Sequence, residues 1–162
     1  MMAKRTNTIH TKSAVEMRQL GSAYAQFLSG VAKRGRRAYV VALKGDLGAG
    51  KTTFVQGFAA GLGIHVPVTS PTFVIMKTYP VLLPPFSQLI HIDAYRINAR
   101  ACAQLEIAAL KKDPRTIIII EWADRVMRMI RHCTEVITFI HGGRARERSV
   151  TFQGNFFDDF LK

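Results

Sequence analysis

The stretch "AYVVALKGDLGAGKTTFVQGFAAGLG", Ala38 to Gly63, decides the fold. Ala38 to Leu43 are continuously apolar, as a strand buried on both faces requires. Further on, Phe54, Val55, Phe58, Ala59 and Leu62 share one helical face, and Gly63 ends the run. Between strand and helix, Gly45, four residues, Gly50, Lys51 and Thr52 complete the pattern G-x-x-x-x-G-K-[ST]. A triphosphate needs several donors at once. Glycine tolerates the dihedrals that turn consecutive backbone N–H groups toward one anion. The helix opening near Lys51 adds its N-terminal partial charge. The Lys51 ammonium can reach the β- and γ-phosphates, and the Thr52 hydroxyl suits Mg²⁺, which prefers oxygen ligands. ATP and Mg²⁺ are therefore the expected ligands.

Working outward, Ser13 with Glu16 fits a capping box, and Met17, Leu20, Gly21, Tyr24, Phe27 and Leu28 repeat at helical spacing. After the phosphate-loop helix, "PVTSPTFVIMKTYP" reads as a proline-stiffened loop and then a strand to Tyr79. "VLLPPFS" is a loop, because Pro84 and Pro85 forbid a central strand. "QLIHID" is a strand ending at Asp93, residues 98–112 read as a helix, and "RTIIII" is a buried strand before Glu121. "EVITFIH" and "RSVTFQ" form a late hairpin around "GGRARE". This order predicts an α/β fold: one three-layer P-loop NTPase-like domain over residues 1–162, with a mixed, mostly parallel central sheet and a late β-hairpin.

A phosphate cradle needs acid groups on neighbouring strand ends to handle metal and water. Asp93 and Glu121 each follow an apolar strand, so each should surface where ligands bind in open α/β sheets. The residues alone leave open which acid takes the metal and which the water. Thr69, Ser70 and Thr72 lie where a switch can sense a γ-phosphate, or else form a simple loop. Trp122, the sole tryptophan, is either core or packed over a nucleotide edge. The five histidines show no ligand spacing, so core, surface or loop roles are expected, and only His91 falls inside a motif.

With 162 residues and 48% apolar composition the chain is long enough for a real core. No apolar run reaches the roughly 18 residues of a membrane span. The start "MMAKRTNTIHTKS" lacks the apolar centre of a secretory signal, so a cytoplasmic location is expected. Cys102 and Cys133 have no metal-ligand spacing and read as reduced thiols. Lys+Arg 23 against Asp+Glu 11 leaves a net charge of +12, which attracts RNA, DNA or an acidic protein. No interleaving of aromatic and basic residues of the RNA-binding kind is visible.

Taken together, "GDLGAGKTTFVQGFAAGLG", "TSPTF", "HIDAYR" and "IIEWADR" resemble the TsaE (YjeE) family in order and spacing. Its members are small bacterial P-loop ATPases needed for threonylcarbamoyladenosine at position 37 of tRNA. The resemblance implies that Gly48, Ala49, Gly50, Lys51, Thr52 and Thr53 hold the phosphates. It makes Thr52 and Glu121 magnesium ligands, with Asp93 in the same metal and water shell. Thr72 becomes the switch threonine, Trp122 lies near the nucleotide or partner face, and Arg144 matches a late basic residue touching the nucleotide. The stretch before Val15 is implied to border the base. The implied partner is the TsaD–TsaB transferase pair, with tRNA reached indirectly through it; slow intrinsic turnover is expected because no motif places an arginine finger. The chain departs from the usual family pattern in "CAQLEIAALKK", where Ala108 or Ala109 replaces a glycine. Two other functions share the phosphate loop. A small-molecule kinase needs an acceptor pocket and an arginine-rich lid, and between Asp93 and Thr116 only Arg96, Arg100 and Arg115 are present. A nucleotide-switched RNA-binding protein draws on the basic charge.

Overall fold

The computed structural model describes residues 7–31, 36–98, 100–101, 105–128, 130, 133–154 and 160. The strands are β1 (Asn7–Thr11), β2 (Tyr39–Gly45), β3 (Met76–Pro80), β4 (Gln88–Asp93), β5 (Thr116–Glu121), β6 (Glu135–His141) and β7 (Arg148–Gly154). The helices are α1 (Ala14–Val31), α2 (Lys51–Gly61) and the single turn α3 (Ile107–Leu110), with a 3-10 turn at Ala123–Arg125. All seven strands form one sheet in the order β1-β7-β6-β2-β5-β4-β3. The central pairs β6–β2, β2–β5 and β5–β4 are parallel, and the outer pairs are antiparallel. This is the expected mixed α/β architecture with its late hairpin, β6–β7.

The apolar runs explain the centre. β5 is buried at every position, and the alternate side chains of β2 and β5 feed two separate cores. Val41, Leu43, Ile117 and Ile119 face α1 and α2, where Tyr24, Phe54, Phe58, Phe139 and Phe152 form an aromatic cluster. The Tyr24 and Phe152 rings lie 5.1 Å apart, and those of Phe54 and Phe139 5.5 Å apart in edge contact. Val40, Ala42, Ile118 and Ile120 face the other side, against Ile97, Ile107, Val126 and Ile130. Ser13 caps α1 as expected, with the Glu16 N–H donating to Ser13 Oγ (3.1 Å), while the return bond to Glu16 Oε2 comes from the residue before the cap, the Lys12 N–H (2.8 Å). Helices α1 and α2 pack so tightly that a Cβ on Gly21, Gly57 or Gly61 would meet the backbone of the opposite helix.

Two elements differ from expectation. Of the helix expected over residues 98–112, the described residues Arg100, Ala101 and Ile107–Leu110 are helical, but the helix is not continuous. Glu106 sits in the left-handed region at φ 48°, which breaks the helix between Leu105 and Ile107. The break turns the chain so that Leu105, Ile107 and Leu110 all reach the second core. β1 was not anticipated. Its segment holds a single strongly apolar residue, Ile9, and is ordered by pairing with β7. Cross-strand contacts add to this, with Thr8 and Thr151 hydroxyls 2.8 Å apart and Ser149 Oγ 3.0 Å from His10 Nδ1. Cys102 lies outside the described residues. Among the described residues, no helix is long and apolar enough to cross a membrane.

Candidate functional site

β2, β4 and β5 end together: Leu43 pairs with Glu121, and Asp93 with Glu121. At that edge the chain from Gly45 to Thr52 turns into α2. Gly45 has no room for a side chain, because a Cβ would strike the Phe139 carbonyl of β6. Gly50 takes φ 100° as the residue that opens α2. The first N–H groups of a helix have no intrahelical acceptor, and here they open onto the cleft. The turn is also held from behind. Arg148 Nε and Nη2 donate to the Gly48 carbonyl at 3.2 and 3.0 Å, and His141 Nε2 to the Leu47 carbonyl at 3.0 Å. These bonds tie the phosphate turn to the β6–β7 hairpin.

Lys51 is buried, and its ammonium donates to the carbonyls of Gly45 (2.6 Å) and Asp46 (2.8 Å). It also lies 3.7 Å from the centroid of the Trp122 ring. Burial lowers its pKa below the ordinary lysine value, while the carboxylates of Glu121, Asp124, Asp46 and Asp93 oppose that shift. Trp122, at φ 57°, stacks at a tilt 4.9 Å from Tyr95. Arg125 braces this pair: Nη1 donates to the Tyr95 carbonyl at 2.7 Å, and the guanidinium lies 4.7 Å from the Tyr95 ring.

The two acids share a sheet face but have different partners. Glu121 accepts from Thr52 Oγ1, 2.8 Å from Oε2 and 3.1 Å from Oε1, and from His91 Nε2 at 2.8 Å. Asp93 Oδ2 accepts from Ser70 Oγ (2.6 Å) and Thr72 Oγ1 (2.8 Å), and Oδ1 accepts from the Tyr95 N–H (2.8 Å). The proline-stiffened loop is thereby latched to β4, and Gln56 Nε2 fastens it to α2 through the Val68 carbonyl at 3.1 Å.

A cleft of about 430 Å³ collects Gly48, Gly50, Lys51, Thr52, Thr53, Thr72, Asp93, Glu121 and Trp122, along with Ser70 and Tyr95. Ala49 is buried on the core side, and Gly45 lies behind the lysine. A second cleft of about 380 Å³ adjoins it through Gly48, Gly50 and Thr53, and Val15, Met17, Arg146 and Arg148 line it. Arg144 is not on either wall. It is an exposed side chain at the hairpin turn, 3.8 Å from Glu147. Ser70 and Thr72 of the candidate switch loop both reach the cleft, whereas His91, Tyr95, His141 and Arg148 are site neighbours that the sequence does not single out for a role. His91 carried a signal, since it stands two residues before Asp93 and so on the same strand face. The contacts of Arg148 and His141 with the turn span about a hundred residues of sequence and left no local pattern. Among the described residues, no group of three or more His, Cys, Asp or Glu is placed to hold a metal. Thr52 and Glu121 nonetheless set hydroxyl and carboxylate oxygens side by side on the cleft wall. That donor set suits Mg²⁺, which takes one or two protein oxygens and completes its shell with phosphate and water.

A buried parallel strand, a glycine turn, a lysine at the helix start and strand-end acids facing a hydroxyl define the class: an α/β protein of the P-loop type. Residues 11–150 match the family model described as "Threonylcarbamoyl adenosine biosynthesis protein TsaE", and the chain belongs to that family. The tRNA threonylcarbamoyladenosine biosynthesis protein TsaE of Streptomyces coelicolor is 38% identical over 110 residues, covering 67% of this chain and 68% of the relative. The Bacillus subtilis protein of the same name is 37% identical over 119 residues, covering 72% and 71%. The crystal structure of Bacillus subtilis YdiB superimposes with a TM-score of 0.70 at 28% identity, covering 99% of this chain and 95% of that one.

Proposed function

We propose that this chain binds and hydrolyses ATP with Mg²⁺, as an accessory protein for threonylcarbamoylation of adenosine 37 in tRNA, working with the TsaD–TsaB transferase pair. The contact that carries this reading is Thr52 Oγ1 within 2.8 Å of Glu121 on the wall that also holds Lys51. In this reading the Lys51 ammonium exchanges the Gly45 and Asp46 carbonyls for the β- and γ-phosphate oxygens. The first turn of α2 supplies backbone donors to the same oxygens. Thr52 and Glu121 hold Mg²⁺, which neutralises charge on the phosphates. Asp93 orients the attacking water and holds Thr72, whose hydroxyl can exchange Asp93 for a γ-phosphate oxygen. The adjoining cleft takes the nucleoside, with the cations of Arg146 and Arg148 at its rim.

The described residues lining the phosphate cleft include no arginine. That supports slow turnover alone and completion of the site by a partner. The described residues equip the nucleotide side, and the sequence between Asp93 and Thr116 carries only Arg96, Arg100 and Arg115 where a kinase lid would be arginine-rich, which favours a switch over a kinase. The test is genetic and chemical. A bacterial strain depleted of its own TsaE should recover threonylcarbamoyladenosine in bulk tRNA, by nucleoside mass spectrometry, when this chain is expressed. Lys51→Ala at equal abundance should not restore it. No recovery with the parent chain, or full recovery with the variant, would contradict the proposal.

A further inference from the structure

His91 is fully buried in β4 beside apolar neighbours: Leu89 shares its strand face, and Ile119 stands opposite it on β5. Its Nε2 lies 2.8 Å from Glu121 Oε1, while its Nδ1 is buried with no hydrogen-bond partner among the described residues. Burying a polar ring in an apolar wall is unfavourable unless its hydrogen bond is worth making. Among the described residues, the ring's polar contact is to Glu121. Because the carboxylate oxygen accepts, Nε2 carries the proton of this contact.

The geometry of Glu121 shows what that bond can do. Thr52 Oγ1 lies nearer Oε2 (2.8 Å) than Oε1 (3.1 Å), and Oε1 is also held at 2.8 Å by His91, which does not line the cleft. A carboxylate held at one oxygen can still rotate, and one held from two sides cannot. In the magnesium reading Thr52 Oγ1 would give its oxygen to the ion, whereas the His91 contact, made outside the cleft lining, would be kept. We propose that His91 is a positioning residue: its Nε2–H fixes the plane of the Glu121 carboxylate, so that Oε2 and Thr52 Oγ1 present a preformed oxygen corner to Mg²⁺. This rests on the ATP–Mg²⁺ reading above. Outer partners that orient a ligand are commonly as consequential for metal affinity as the ligands' own placement.

The test is calorimetric titration of ATP into the full chain, in Mg²⁺ and separately in EDTA, with a thermal melt of each variant. His91→Leu removes the donor. His91→Gln keeps an N–H at nearly the reach of Nε2, and His91→Asn keeps an amide too short to reach Glu121. Leu and Asn should each lose at least about tenfold of the Mg²⁺-dependent gain in affinity, with affinity in EDTA within about twofold of the parent. Gln should recover most of the gain. A parental Mg²⁺ gain in Leu or Asn, or a folded Gln variant no better than Asn, would overturn the inference. The Gln–Asn contrast decides it even if Leu does not fold. A parent chain that binds ATP with no Mg²⁺ gain would instead overturn the magnesium reading itself, and this inference with it.

Discussion

Asp93 and Glu121 are one register pair, yet each holds a different part of the site. Glu121 is tied to the first turn of α2 through Thr52, and Asp93 to the loop carrying Ser70 and Thr72. Both carboxylates are almost fully buried, so each must be satisfied by its own donors. The two should therefore fail differently. Glu121→Ala should weaken ATP binding in Mg²⁺ and leave binding in EDTA nearly intact. Asp93→Ala removes the acceptor of two part-buried hydroxyls, Ser70 and Thr72, and should slow hydrolysis at least about tenfold, a barrier rise of about 1.4 kcal/mol, with Mg²⁺-ATP affinity little changed. Steady-state rates and binding titrations on both variants separate the cases. Indistinguishable profiles would show that the two acids act as one group.

At the scale of elements, the α1–α2 contact gives a prediction with a clear sign. Replacing glycine by alanine inside a helix ordinarily stabilises by about 0.5–1 kcal/mol. At Gly57 the added Cβ would run into the Arg18 backbone of α1, with no flexible side chain to give way. Gly57→Ala should instead destabilise by about 1–3 kcal/mol, read from urea denaturation. A gain in stability would show that the helices can move apart freely. The same elements show what the sequence reveals and what it hides. The phosphate-loop strand, its glycine turn and its helix are legible because each is specified locally, by an apolar run, a fixed spacing and a helical face. β1 is not, because Ile9 alone cannot declare a strand that β7 orders from the far end of the chain. The helix expected over residues 98–112 is broken at Glu106, where burial of Leu105, Ile107 and Leu110 outweighs good local helix propensity. The acid pair is legible as strand ends. Its division of labour is not, because the Thr52, His91, Ser70 and Thr72 contacts exist only after the sheet edge has assembled.

Over the whole molecule, the charge balance sharpens on folding. The chain carries +12, and Asp93, Glu121 and Glu135 are among the acids placed in the interior. The surface is correspondingly more basic than the composition suggests, which would hasten encounters with an acidic partner or with tRNA held by one. Arg125 and Arg128 are exposed, and Arg125 packs on Tyr95 and Trp122 at the cleft without lining it. The proposal therefore joins a nucleotide site to a partner face through the loop that Asp93 holds. Its most direct test is steady-state ATP hydrolysis in Mg²⁺, with and without the purified TsaD–TsaB pair, for the parent chain and for Thr72→Ala. The account predicts a slow basal rate that the pair raises in the parent, with the increment lost in Thr72→Ala while ATP binding remains. A high basal rate that the pair leaves unchanged would contradict it and would favour a small-molecule kinase.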